Sequence, residues 1–313
     1  MEPRLQASSH YCERRKGQPY LPNTMADQNN IRYSEKNIKL IGASAKLYFL
    51  LRRVVRYFYH NKLFRNRYCS NNNLGIFITT NCNLSCFNCQ TSARQAPAND
   101  SMTVRQVEAF VDEAINLQYF WSRIYITGGE PTLHPQFFDI LAVLKRYKDF
   151  NPECTFILET NGVGNKVRSV LERLPQWISV HNSNKKESKD SYTFFTYTIA
   201  PIDTLVYRFF DFSKGCSLLT SCYGLCLSMY GYFPCSPCMN VARVFGFDIG
   251  LQKLSLVTEQ ALRFQLKILC KYCGWFREQQ RPTALTEQVS SSWQKAFAEY
   301  KKQKPKLTLY NAA

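Results

Sequence analysis

The stretch Gly75-Ile-Phe-Ile-Thr-Thr-Asn-Cys-Asn-Leu-Ser-Cys-Phe-Asn-Cys89 decides how the rest of the chain is read. A β-branched apolar run, which suits a strand, leads directly into Cys82, Cys86 and Cys89 at the spacing C-x3-C-x2-C. Thiolates are soft ligands that suit zinc and iron–sulfur clusters. Three of them leave a cubane cluster with one iron that the protein does not hold, and an open coordination site is where metals do chemistry. Taken alone, the cysteines also fit a structural zinc completed by a distant ligand.

Beyond the cysteines, helix and strand patterns alternate. Thr103 to Leu117 reads as a helix, capped by Ser101 or Thr103, with Val104, Val107, Phe110, Val111, Ala114 and Ile115 as its apolar stripe. Arg123 to Thr127 reads as a strand that ends in Gly128-Gly-Glu-Pro131. His134 to Asp149 is the next helix, and Thr155 to Leu158 a strand that ends in Glu159-Thr-Asn-Gly162. Val163 to Leu174 and Trp177 to Val180 continue the series. Such alternation calls for a parallel sheet covered by helices, with chemistry just past the carboxyl ends of the strands. After Val180 the pattern degrades, although Tyr192 to Ala200 is β-prone and Pro201 to Phe212 is compatible with a helix. The expected fold is α/β: a partial (βα)6 TIM-like barrel with a small C-terminal cysteine-rich β-hairpin and helix module.

The 313 residues, 45% hydrophobic and 14% aromatic, allow a large packed core and exclude a globally disordered chain. The thirteen cysteines fall mostly in short-spaced groups, as metal ligands do, rather than in a disulfide framework. The first 30 residues are polar and lack the apolar segment of a signal peptide. A reducing, cytoplasmic compartment is expected. Residues 1–30 read as a disordered tail, and Met25 is an alternative start to Met1. Of the net charge of +17, residues 31–67 hold +9, from ten Lys or Arg against Glu35. Residues 31–68 therefore read as a basic amphipathic helical segment, able to pack on the main domain or to lie peripherally on an anionic membrane. Charge of this density also favours anionic substrates.

With Cys82, Cys86, Cys89, Gly128-Gly-Glu-Pro131 and Glu159-Thr-Asn-Gly162 in this order, residues 74–275 resemble the radical S-adenosylmethionine (SAM) enzymes. The resemblance implies a [4Fe–4S] cluster on the three cysteines, with SAM chelating the fourth iron. It also implies reductive cleavage of SAM to a 5′-deoxyadenosyl radical that takes hydrogen from substrate. Phe87, Gly128, Gly129, Glu130, Pro131, Thr160 and Asn161 would then contact SAM. The bare chemistry agrees: glycines admit close approach, Glu130 can pair with an ammonium, and Thr160 and Asn161 suit ribose hydroxyls. One departure stands out. The family places an aromatic immediately before the third cysteine, near the adenine, whereas here Asn88 holds that place and Phe87 stands one earlier.

A second cysteine field runs from Cys216 to Cys273. Leu225 to Cys235 reads as a hairpin turning near Gly231, and Cys270-Lys-Tyr-Cys273 follows. This resembles the SPASM and twitch auxiliary-cluster modules, with the shorter twitch form the better fit. The resemblance implies one further [4Fe–4S] cluster on Cys235, Cys270, Cys273 and either Cys216 or Cys222, with Cys226 and Cys238 as core thiols. A zinc ribbon on Cys235, Cys238, Cys270 and Cys273 is the rival. Cys12, Cys69 and Cys154 have no neighbours at ligand spacing. His181, Asn182, Asp203, Asp211 and His134 are weak candidates, more compatible with structural, solvated or capping roles, and Tyr223, Tyr230 and Tyr232 are expected to pack the hairpin.

The expected organisation is a tail over 1–30, the basic segment over 31–68 and the barrel over 69–212. The auxiliary module follows over 213–281, with a C-terminal helix and basic tail over 282–313. The expected function is an oxidoreductase of the radical SAM class acting on a small anionic, sugar- or nucleotide-like molecule. A low-potential donor would supply electrons, and the auxiliary cluster would accept or relay one. Peptide maturation is the alternative within the class. Outside it stands a non-enzymatic iron–sulfur or zinc protein that binds RNA or a membrane; nucleic acid is not favoured as a partner.

Overall fold

The computed structural model describes residues 72–185, 197–216, 218–221, 223–277 and 286–311. The expected tail and basic segment lie outside the described residues, as do Cys12, Cys69 and Cys222. Strand β1 (Asn73–Thr79) is buried along its whole length, because its Leu-Gly-Ile-Phe-Ile run is apolar on both faces. It is followed by α1 (Val104–Asn116), β2 (Arg123–Gly128), α2 (Phe137–Phe150), β3 (Thr155–Thr160), α3 (Asn165–Leu171) and β4 (Ile178–Asn182). Thr103 caps α1 through a reciprocal box with Gln106. The apolar stripe of α1 meets that of α2, where Phe110 and Tyr147 lie with ring centroids 6.2 Å apart. Tyr147 ties this layer to the β2 entry, accepting from Trp121 N–H at 2.9 Å and donating to Tyr119 O at 2.6 Å.

After β4 the structure departs from the sequence pattern. Tyr197 to Ala200 is a turn, not the end of a strand, and 201–214 forms three short 3-10 turns instead of a helix. The side chains there have other duties. Asp203 caps a later helix by accepting from Ser292 N and Oγ at 2.9 and 2.6 Å, and Asp211 closes its own turn on Ser213. A short helix, α4 (Leu218–Ser221), then leads into β5 (Leu225–Ser228) and β6 (Gly231–Phe233). This hairpin forms as its sequence predicts, yet it is part of the main sheet: β5 pairs parallel with β1, and β6 antiparallel with β5. The strand order is β4-β3-β2-β1-β5-β6, an open and mostly parallel sheet. The α/β partial barrel is thus realised with its last two strands supplied by the hairpin.

Three further helices follow, α5 (Ser236–Phe245), α6 (Glu259–Leu269) and α7 (Ser291–Lys302). Trp293 of α7 is fully buried, edge-on to Tyr197 at 5.1 Å and to Phe245 at 4.8 Å, and donates from Nε1 to Tyr272 O at 2.7 Å. Tyr310 runs back to the hairpin, where its N–H donates to Met229 O and its carbonyl accepts from Gln106 Nε2 at 2.6 Å. Among the described residues no helix is long and apolar enough to cross a membrane. Replacing Trp293 with Ala removes a fully packed indole and strands the Tyr272 carbonyl. Its expected cost is about 3–5 kcal/mol in urea unfolding, and a cost under about 1 kcal/mol would contradict the packing described.

Candidate functional site

The site is built where parallel strands end. Strand register places His181 of β4 beside Glu159 of β3, and Phe77 of β1 beside Thr127 of β2 and Ser228 of β5. Directly above this row the chain leaves β1 into the loop of Cys82, Cys86 and Cys89. Loop and β2 are sewn together by backbone bonds, Gly129 N to Thr79 O at 2.9 Å and Glu130 N to Asn81 O at 2.7 Å. A Cβ on Gly129 would sit 2.2 Å from Asn81 O, so only glycine allows this approach.

Glu130 is fully buried. Its Oε1 accepts from the hydroxyls of Thr132 at 2.7 Å and Thr160 at 2.9 Å, and its Oε2 from Asn161 N–H at 2.7 Å. The carboxylate thus knots the β2 turn to the β3 turn and does not line the pocket, and Pro131 starts the short 3-10 turn behind it. Asn161 continues the link, donating from Nδ2 to Asn83 Oδ1 at 2.8 Å and facing Cys82 Sγ at 3.9 Å.

A pocket opens over the three cysteines, Gly128, Gly129, Thr160 and Asn161. It also includes Thr127, Glu159, His181, Lys185, Tyr223 and Ser236. Glu159 is its polar centre: it accepts from Thr127 Oγ1 at 3.2 Å and from the Tyr223 hydroxyl, and pairs with His181 Nδ1 at 3.3 Å. Tyr223 therefore serves the pocket, not the hairpin. It crosses β1 at Gly75, where a Cβ would lie 3.1 Å from that of Tyr223, and its ring packs against Tyr125 at 4.8 Å. His181, read from sequence as a lone structural residue, joins the same cluster. Only the register could reveal these meetings, since Glu159 and Tyr223 stand 64 positions apart.

Residues 76–179 match the sequence profile of the Radical SAM superfamily. The chain carries a radical SAM domain. It is 37% identical over 90 residues to a probable GTP 3′,8-cyclase of Pyrococcus horikoshii, across 29% of this chain and 26% of that protein. It is 33% identical over 90 residues to the protein of that name from Thermococcus kodakarensis, across 29% of this chain and 27% of that one. The chain thus spans about a quarter of the length of these relatives. Among solved structures, BtrN in complex with AdoMet and 2-DOIA aligns with a TM-score of 0.40 and 16% identity, over 69% of this chain and 96% of that one.

The cofactors of a radical SAM domain are a [4Fe–4S] cluster and SAM, and the donor set suits them. Burial pushes the Cys82 thiol up to about 12, with Cys89 nearby adding to the effect. A thiol held this high ligates only where a metal ion supplies compensating positive charge. The departure at Asn88 acquires a reason. Asn88 has φ +52° and is fully buried. Its N–H donates to the Glu287 carboxylate at 3.1 Å, Nδ2 to Thr286 O at 3.0 Å, and Oδ1 accepts from Gln288 N at 3.0 Å. The position where the resemblance implies an aromatic here anchors the segment 286–288. Phe87 does not line the pocket; the Arg94 guanidinium covers its ring at 4.2 Å.

The second thiol group also converges. Cys235 caps α5, whose first turn carries Cys238, and a helix N-terminus favours thiolate charge. Burial raises the thiols of Cys216 and Cys273, and each feels Cys270 and Cys235. Cys238, expected as a plain core thiol, lies beside Cys235 and Cys270, whose thiols raise its own. Five thiols thus gather here, although among the described residues no acidic, histidine or cysteine group stands in finished metal-ligand geometry. Cys154 is buried at the start of β3, and Cys226 lies in β5. His134 is a neutral strut: burial lowers its pKa, its Nε2 faces Met102 O at 2.9 Å, and Nδ1 accepts from Gln136 N–H.

Changing Glu130 to Gln turns one acceptor oxygen into a donor amide facing existing donors. Unfolding of the metal-free chain in urea should register a loss of about 1–3 kcal/mol. A neutral result would show that the knot is not what aligns the two turns.

Proposed function

We propose that this chain is a radical SAM oxidoreductase acting on a small molecule held between the three cysteines and the second thiol group. The observation that carries the reading is the single pocket shared by Cys82, Cys86, Cys89, the Glu159 cluster and Ser236, the residue next to Cys235. Cluster and SAM, when bound, supply a 5′-deoxyadenosyl radical that takes a hydrogen atom from substrate.

The protein's own residues do the rest. Gly128 and Gly129 offer backbone without side-chain obstruction, and Thr160 and Asn161 edge the same wall. Glu159, held by Thr127, His181 and Tyr223, faces the space left for substrate and suits a hydroxyl group there, whose proton it can accept. Lys185 on the same rim suits an anionic substituent. A sugar- or nucleotide-like molecule meets both demands, and the GTP 3′,8-cyclase name of the relatives falls in that class. Cys235, Cys270, Cys273 and Cys216 would hold a second [4Fe–4S] cluster that accepts or relays an electron; Cys222 stays a competitor for the fourth position.

Two measurements on anaerobically reconstituted protein test this. Reduced wild-type chain should release 5′-deoxyadenosine from SAM, and Cys86→Ala should not; equal release by both would refute the site. The Cys82, Cys86 and Cys89 triple Ala chain should keep about four iron atoms, one cubane's worth. Zinc in their place would mean a ribbon, and neither metal would leave the second thiol group structural.

A further inference from the structure

Arg243 of α5 has 1% of its surface exposed, so the fold has taken a permanent cation out of water. Its guanidinium donates to Thr91 O at 2.8 Å and Ala96 O at 2.9 Å. It also donates to Asn240 Oδ1 at 3.0 Å and to the Tyr300 hydroxyl at 2.8 Å. None of these partners is an acid, and no ion pair among the described residues includes Arg243. Asp100, which reaches the Tyr230 hydroxyl at 2.7 Å, is already paired with Lys304. Hydrogen bonds satisfy the guanidinium protons but leave the charge without a counter-charge, and an uncompensated buried charge is among the most unfavourable things a fold can contain.

Two candidate sources of negative charge flank it. The Thr91 carbonyl belongs to the turn after Cys89, whose Sγ lies 3.1 Å from Thr91 Oγ1. The helix that carries Arg243 begins at Cys235 and Cys238. A four-iron cluster held by three thiolates is a net anion, and more so once reduced. In a dry interior the attraction between such an anion and a nearby cation is weakly screened. Arginine suits this place better than lysine, because its planar fork engages two loop carbonyls while keeping its charge.

We propose that Arg243 is a positioning residue and the buried counter-cation of the radical cluster: it fastens the loop after Cys89 to α5 and raises the reduction potential of the cluster those cysteines hold. The inference rests on the cluster reading of Cys82, Cys86 and Cys89. Reduction adds a negative charge, the guanidinium stabilises it, and the electron therefore enters at a less negative potential.

Three variants of the full chain separate charge from shape. Arg243→Gln removes the cation, and Arg243→Lys keeps it while losing the fork. Asn240→Asp leaves the arginine in place and sets a carboxylate against it; the Ser92 hydroxyl, which now accepts from Asn240 Nδ2 at 2.7 Å, can turn to donate, while the Tyr197 hydroxyl keeps donating to Pro237 O. Each is reconstituted anaerobically, its iron counted, and the midpoint of the SAM-responsive paramagnetic signal followed by redox titration. The midpoint should fall in Arg243→Gln and Asn240→Asp and stay near wild type in Arg243→Lys. Iron loss from Asn240→Asp while Arg243→Lys stays loaded supports the same conclusion, because charge is what distinguishes them. An unmoved midpoint in loaded Asn240→Asp, or iron loss from all three variants, assigns Arg243 a purely structural tie and overturns the inference. Wild-type chain that takes up no iron overturns the cluster reading itself, and the inference with it.

Discussion

Parallel pairing in register is the constraint on which everything else depends. Because β1 to β4 run the same way, four chain exits stand side by side, and groups from separate loops meet without long arms. Phe77, Thr127, Glu159 and His181 form one row across the sheet, and the cysteine loop, the Gly128 turn and the Thr160 turn rise from its end. The burial of Glu130 locks two of those turns together. A one-residue slip would turn Glu159 to the opposite face and Leu158 into the pocket, since side chains alternate along a strand.

The sequence made the frame legible through periodicity and through three motifs at strand ends. It placed β1 to β4 within a few residues, the α1 cap at Ser101 or Thr103 and the hairpin near Gly231. It also named the two cysteine groups, because ligand spacing is local information. Meetings set by tertiary packing were not legible. Tyr223 looked like a hairpin residue, because nothing in a sequence says that Gly75 leaves room for its ring. Glu130 looked like a ligand contact, because its type suits an ammonium; in the structure it accepts four hydrogen bonds, two of them from the next motif. Pro201 to Phe212 failed as a helix: Asp203 is spent on the start of α7 and Asp211 on its own short turn. Cys238 looked like filling until the helix start brought it against Cys235 and Cys270.

The two thiol groups are also parts of one scaffold. The first turn of α5 carries Cys235 and Cys238, and its later turns carry Asn240 and Arg243, which grip the loop after Cys89. Through Trp293, α7 grips Tyr272, between Cys270 and Cys273, while the residues just before it sit on Asn88. One helix therefore carries thiols of one group and side chains that brace the loop of the other.

The Asn88 anchor has a consequence in time as well as space. Its partners, Thr286 to Gln288, lie some 200 positions downstream. A growing chain displays Cys82, Cys86 and Cys89 long before the segment that braces their loop exists. The loop gains this support only after Thr286 to Gln288 have been made, so a cluster delivered earlier would meet three thiols on an unbraced chain.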